Sequence, residues 1–174
     1  NPKPHFKFKK KYPALGILDA NNAFGHAAGI KAIKYCMKMS NKYGVGIVAV
    51  KNSSHPGALA SIVLEAAKKN YICWGFTHAD SLLLSSNGKR AYFGTNPICF
   101  AAPRKNEEPF CLDMATSKIS WNKLLSFKDN KINLNNELAA DQYGNSTILT
   151  TKAKTLMPVG DYKGYGLASM IEIL

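Results

Sequence analysis

No stretch of this sequence approaches the about 20 consecutive apolar residues that a membrane-spanning helix needs. The lysine-rich start is not followed by a continuous apolar segment, so it does not read as a secretory signal. Cysteine is sparse. Cys36, Cys73, Cys99 and Cys111 stand singly in apolar runs, and none forms a CxxC pair or a zinc spacing. This pattern predicts no metal site. It predicts reduced core thiols and a cytoplasmic protein. There is no internal repeat. There is also no usable dinucleotide fingerprint, although Gly44-Val45-Gly46-Ile47-Val48-Ala49 matches GxGxxA in letters. That fingerprint needs a strand before it and a helix after it. Here a helical pattern precedes it and a β-branched run follows.

Acidic residues are few as well: 11 against 23 lysines and arginines, for a net charge of +12. Lys3, Lys7, Lys9, Lys10 and Lys11 crowd the first eleven positions. A basic cluster can bind a phosphate backbone. The lysines elsewhere are scattered, and asparagine is abundant around 130–136, which favours solvated surface charge over a nucleic-acid arm. Neither nucleic acid nor membrane is expected as a partner. The surplus still attracts small anionic ligands over long range.

What is present is ordinary globular composition, 46% hydrophobic and 20% charged over 174 residues. That length supports one domain with a real core, or one and a fraction. Residues 1–13 read as a basic, proline-containing extended linker. From 14 on the pattern alternates. A short strand spans 14–20, and a helix capped by Asn21 or Asn22 spans 23–43 and ends at Gly44. A buried apolar strand follows at 45–51, then a helix at 57–69 with Leu59, Ile62, Val63 and Ala66 on one face, then a strand at 71–77. This β-α-β-α-β order predicts a layered α/β unit. Short strands follow at 91–93, 98–102 and 109–113, and a helix at 117–127. The polar stretch 128–147 reads as a surface connection. A last helix starts near Lys163 and is still apolar at Leu174, so the chain is expected to be part of something longer.

Four segments carry chemistry. His55, in Asn52-Ser53-Ser54-His55-Pro56-Gly57, stands just past a strand and before a helix, where α/β proteins place reactive groups. Histidine exchanges protons near neutral pH, although such a residue also serves as a cap or turn. Gly94-Thr95-Asn96-Pro97 is a compact turn whose Thr95 and Asn96 can line a polar ligand site. In Leu112-Asp113-Met114-Ala115-Thr116-Ser117, Asp113 either caps the following helix or accepts a sugar hydroxyl. In Gly160-Asp161-Tyr162-Lys163-Gly164-Tyr165-Gly166, glycines permit close approach and Lys163 stands at a helix start that favours anions.

Taken in order, these motifs resemble the malate/L-lactate dehydrogenase family, whose fold is not of the Rossmann type. The resemblance runs over nearly the whole chain. It implies a mixed-sheet α/β cofactor-binding domain over 14–174, lacking N- and C-terminal parts of the full family architecture. It implies an NAD- or NADP-dependent oxidoreductase that interconverts a small 2-hydroxy acid and its 2-oxo acid, as a homodimer. The alternative is a truncated dinucleotide-binding module without catalysis. His55 matches the proton-exchanging histidine, and Asp80 matches a carboxylate that orients it. Asp113, Met114, Ala115 and Thr116 match one cofactor-binding segment; Lys163 and Gly164 match a second. Asp161 stands where the family usually has glycine.

Overall fold

The computed structural model describes residues 4–174; Asn1, Pro2 and Lys3, which open the basic segment, lie outside the described residues. The elements run β1 (Lys7–Tyr12), β2 (Leu15–Ala23), α1 (Gly25–Tyr43), β3 (Ile47–Ser53), α2 (Ala60–Ala67) and β4 (Cys73–Phe76). They continue with β5 (Ser81–Leu84), β6 (Ala91–Gly94), β7 (Ile98–Arg104), β8 (Glu107–Met114) and α3 (Trp121–Asp129). Last come β9 (Ala139–Ala140), β10 (Ser146–Thr147), β11 (Thr155–Leu156) and α4 (Tyr162–Ile173). The described residues divide into two compact units: 4–75 with 99–113, and 76–98 with 114–174.

In the first unit the presumed linker is a strand from Lys7 onward. β1 pairs antiparallel with β2, placing Lys7 opposite Asp19 and Lys9 opposite Ile17. Alternation explains it: successive side chains of a strand point to opposite faces. Phe8 turns toward α1 and stacks on Tyr35, with ring centroids 3.9 Å apart. Lys7, Lys9 and Lys11 share the opposite face. β1 is an edge of the β1-β2-β3 sheet, and lysines on an edge strand discourage unwanted pairing.

β2 continues through α1 to β3, which lies parallel to β2 with Asp19 opposite Lys51. A parallel pair requires such a crossover. Two expectations change here. Asn21 and Asn22 do not cap α1; both hold left-handed backbone, with φ of 50° and 57°. The apolar strand is also not buried: Ile47 is 57% exposed, because β3 is the other edge of this sheet among the described residues. Gly44 ends α1 as expected, with φ 81° and its N–H on the Ser40 carbonyl.

α2 buries the predicted face, Leu59, Ile62, Val63 and Ala66. These residues pack with Cys73, Cys99 and Ala101 of the β4-β7-β8 sheet. Burial raises the thiols of Cys73 and Cys99 to about 12 and that of Cys36 to about 11. All four cysteines are free.

The second unit holds a mixed sheet in the order β10-β9-β11-β5-β6. β5 pairs antiparallel with β6 and parallel with β11. The core beside it contains Ile119, Leu124, Leu134, Ala139, Ala153 and Leu156. The stretch 128–147 is therefore more than a surface connection: it supplies β9, β10 and buried residues. Its apolar residues are too few to show a period. α4 forms where the sequence predicted it. Both units are α/β with mixed pairing, as expected. Among the described residues no helix is long and apolar enough to cross a membrane.

Candidate active site

His55 is exposed and follows directly on β3. Its loop is anchored by backbone contacts. The Ser54 N–H donates to the Ala23 carbonyl at 3.1 Å. The Gly25 N–H, at the first residue of α1, donates to Ser54 Oγ at 3.0 Å. A Cβ at Gly25 would collide with the backbone of Ser54 and His55, so only glycine lets the loop close on the helix start. The ring is also held: Gly57 N–H donates to His55 Nδ1 at 3.0 Å. Gly57 has φ 78°, a left-handed conformation that suits glycine.

Asp113, also in the first unit, is a cap, but not of the helix that follows it in sequence. Its Oδ2 accepts the Ala60 N–H at 2.8 Å, in the first turn of α2. Ser120 caps α3 instead, its Oγ accepting from Lys123 N–H. The carboxylate of Asp113 is exposed and keeps acceptor capacity for a ligand hydroxyl.

Met114, Ala115 and Thr116 belong to the second unit. Met114 and Ala115 are half-buried. Thr116 is wholly buried. Its N–H and its hydroxyl both donate to the Thr95 carbonyl, at 2.9 and 3.0 Å. Its own carbonyl accepts from Val159 N–H at 2.9 Å. Thr116 thus shapes the segment and offers no surface of its own. Asn96 is likewise enclosed. It is fully buried and committed. Its Oδ1 accepts the Ala79 N–H at 3.0 Å, and its Nδ2 donates to the Ala168 carbonyl at 3.0 Å and to Glu172 Oε2 at 2.9 Å. Asn96 ties the segment before Asp80 to α4. Thr95 is half-buried, and its hydroxyl makes no hydrogen bond among the described residues.

Asp80 is exposed, one residue past Ala79, and forms no hydrogen bond or ion pair among the described residues. His78 holds the same segment, Nε2 donating to the Ile171 carbonyl at 2.9 Å.

At the start of α4 three backbone donors are already bonded within the fold. Lys163 N–H donates to Gly160 O at 3.1 Å, Gly164 N–H to Val159 O at 2.8 Å, and Tyr165 N–H to Asp161 O at 3.3 Å. Gly164 is buried, and a Cβ there would collide with the Thr116 carbonyl and the Val159 backbone. Its glycine serves packing. The Lys163 side chain remains exposed, its ammonium 6.0 Å from the centroid of the Tyr162 ring.

Charge gathers on the open face of the β1-β2-β3 sheet. Lys7, Lys9, Lys11 and Lys51 line, with Ile17 and Asp19, a depression of about 370 Å³. Asp19 is the one carboxylate there. The Asn21 N–H, the Asn52 amide and the Lys51 ammonium hold its carboxyl below the ordinary value. Among the described residues no cluster of histidine, cysteine, aspartate and glutamate could hold a metal. Sequence reasoning missed Gly25, Ser54 and Gly57 as residues that position His55. The His55-Pro56-Gly57 run was the available signal, since a glycine after proline marks a tight turn.

The family model for malate/L-lactate dehydrogenase matches residues 1–174. The chain is 32% identical over 174 residues to ureidoglycolate dehydrogenase (NAD(+)) of Escherichia coli strain K12, covering 100% of this chain and 50% of that protein. It is 35% identical over 176 residues to L-sulfolactate dehydrogenase of Methanocaldococcus jannaschii, covering 100% of this chain and 51% of that one. Among solved structures, delta1-piperideine-2-carboxylate reductase of Pseudomonas syringae superposes with a TM-score of 0.93 at 27% identity, over 99% of this chain and 53% of that one. The chain spans about half the length of these relatives. With its mixed sheets, its histidine at the end of a parallel strand and this match over its full length, the chain belongs to the malate/L-lactate dehydrogenase family.

Proposed function

We propose that this chain is the cofactor-binding and proton-exchanging part of an NAD- or NADP-dependent oxidoreductase. Its substrate pair is a small 2-hydroxy acid and the corresponding 2-oxo acid. The observation that supports this most is His55: exposed, at the end of β3, and anchored by Ser54, Gly25 and Gly57 rather than free on a loop. A proton-transfer group needs such fixed placement.

The residues fit a dinucleotide through side chains. Lys163 supplies an exposed ammonium for a diphosphate; Asp113 supplies a carboxylate for a ribose hydroxyl, and Met114 and Ala115, next to Asp113 in sequence, supply half-buried surface. The amides of Lys163, Gly164 and Tyr165 take no part, being already bonded. When bound, the nicotinamide supplies or accepts the hydride. His55 gives the hydroxyl proton in the reductive direction and takes it in the oxidative one, through Nε2, the ring nitrogen not held by Gly57. Asp80 is the carboxylate to which the resemblance assigns the orienting of the histidine. Thr95 lines the substrate. The protein is proposed to act in the cytoplasm as a homodimer.

The test is His55→Ala in the complete gene product, with turnover and nucleotide binding measured separately. Turnover should vanish while affinity for NADH or NADPH stays within a few-fold. Normal turnover removes His55 from the mechanism. Titration with each nucleotide, followed by nicotinamide fluorescence, chooses the cofactor, and loss of binding in Lys163→Ala places the diphosphate.

A further inference from the structure

We propose that Gly57 is a positioning residue that sets the tautomer of His55, so that the resting site meets its ligand as a hydrogen-bond donor. This rests on the reading of His55 as the proton-exchanging group.

The backbone N–H of Gly57 can only donate. At 3.0 Å from Nδ1 it requires a lone pair on that nitrogen. A neutral imidazole has one N–H, so the proton of His55 sits on Nε2. The glycine makes this contact through its left-handed backbone, φ 78°. A Cβ at 57 would meet nothing within 4 Å, so glycine is needed there for its conformation and not for space. The clamp on the preceding residue, Ser54 Oγ to Gly25 N–H at 3.0 Å, keeps the backbone of His55 from drifting away from Gly57.

The chemical consequence concerns both directions. A 2-oxo acid presents a carbonyl oxygen, which accepts from Nε2–H. A 2-hydroxy acid must hand its hydroxyl proton to a bare Nε2, and in this tautomer that nitrogen is not bare. The resting site is therefore set for the oxo acid. Proton delivery then needs a second proton on Nδ1. In reduction, hydride adds to C2, the Nε2 proton moves to the oxygen, and the ring ends neutral with its proton on Nδ1. Oxidation runs the same steps backward, from a ring protonated on Nδ1 to an imidazolium. In either direction Nδ1–H faces the Gly57 N–H, two donors, so the contact opens during turnover and closes again at rest.

The test reads the tautomer directly. The chain is labelled with ¹⁵N-histidine and studied by NMR at about pH 9, above the ordinary histidine range near 6.5. His55→Gln identifies the His55 signals among the four histidines. Nδ1 should show as the unprotonated nitrogen and Nε2 as the protonated one. Gly57→Ala disfavours the left-handed backbone and should convert this to a mixture of tautomers. Gly57→Asn, which tolerates that backbone, should restore the single form. A protonated Nδ1 in the unaltered chain overturns the proposal, as does an Ala variant with the tautomer unchanged. No substrate or cofactor is present, so the result is separate from the turnover test of His55→Ala. In the complete gene product, Gly57→Ala should also weaken binding of a 2-oxo acid relative to its 2-hydroxy acid by several-fold. An unchanged ratio also overturns the claim that the contact favours the oxo acid.

Discussion

Asp113 Oδ2 lies 2.8 Å from the Ala60 amide nitrogen and closes the first turn of α2 from the end of β8. The residue that by resemblance touches the nucleotide is thus also a helix cap, and α2 follows the His55 loop in sequence. Asp113→Ala removes the acceptor and should cost about 1 kcal/mol, the usual value of a lost cap. Asp113→Asn keeps an acceptor oxygen and should cost less. Urea unfolding of both variants measures this. Equal stability of the Ala variant and the parent chain would show that the cap contributes nothing.

Asn96 gives a stronger test of packing. Its side chain is wholly buried and bonded to Ala79, Ala168 and Glu172. Asn96→Ala leaves the Ala79 N–H without its acceptor and the Ala168 carbonyl without this donor. A buried polar group left unpaired costs about 1–3 kcal/mol. The variant should lose at least about 2 kcal/mol in denaturant unfolding. Hydrogen exchange at the Ala79 amide should quicken in step. An amide that stays protected would mean that another acceptor replaces the asparagine.

Much of this was legible in the sequence, and the misses share a cause. Helix faces such as Leu59–Ile62–Val63–Ala66 show because apolar spacing follows the helical period. His55, Lys163 and the segment at 113–116 stand out in the sequence because strand ends and glycine runs often mark sites. The edge position of β3 was hidden, since an apolar strand looks the same whether a neighbour covers it or not. The two-residue strands β9, β10 and β11 are too short to show alternation. The bonding roles of Asn96 and Thr116 were hidden because polar turn residues that line a site and those that bond within the fold are the same types. Only the partners distinguish them, and those come from distant segments: Ala168 and Glu172 for Asn96, Val159 for Thr116.

Acid should weaken the first unit through Asp19. Its carboxyl is held below the ordinary value of about 3.9 by the Asn21 N–H, then by Asn52 and Lys51. A folded-state pKa that is depressed gives stability present above the unfolded value and lost as pH falls toward the folded one. Thermal midpoints measured from neutral pH down to about pH 3 should therefore fall more gently in Asp19→Asn than in the parent chain. Parallel curves would mean that the carboxylate contributes nothing to acid stability.

The buried thiols predict slow chemistry. With Cys36 near 11 and Cys73 and Cys99 near 12, the thiolate fraction at pH 8 is about one in a thousand or below. A disulfide reagent at that pH should modify these three over a far longer time than a model thiol, and all four cysteines at once after denaturation. Rapid native labelling of Cys73 or Cys99 would show that α2 opens readily from its sheet.

Asp161 is the residue whose backbone works against the fold. It opens α4 with φ 53° and ψ −109°, a region that suits glycine. Nothing local offsets this: its side chain forms no cap, and its carboxylate meets Lys118 at 3.8 Å while 75% exposed, a pair worth little. The backbone bonds on either side, its N–H to Pro158 O and its carbonyl to Tyr165 N–H, survive in any residue. Asp161→Gly relieves the strain and should raise stability by about 1 kcal/mol, net of the freedom glycine adds to the unfolded chain. Asp161→Ala removes the carboxylate but keeps the strain, and should leave stability within about 0.5 kcal/mol of the parent. Denaturant unfolding of the pair separates the two causes. A gain in both variants would assign the cost to the carboxylate and not to the backbone, and a gain in neither would mean that the loop relaxes elsewhere.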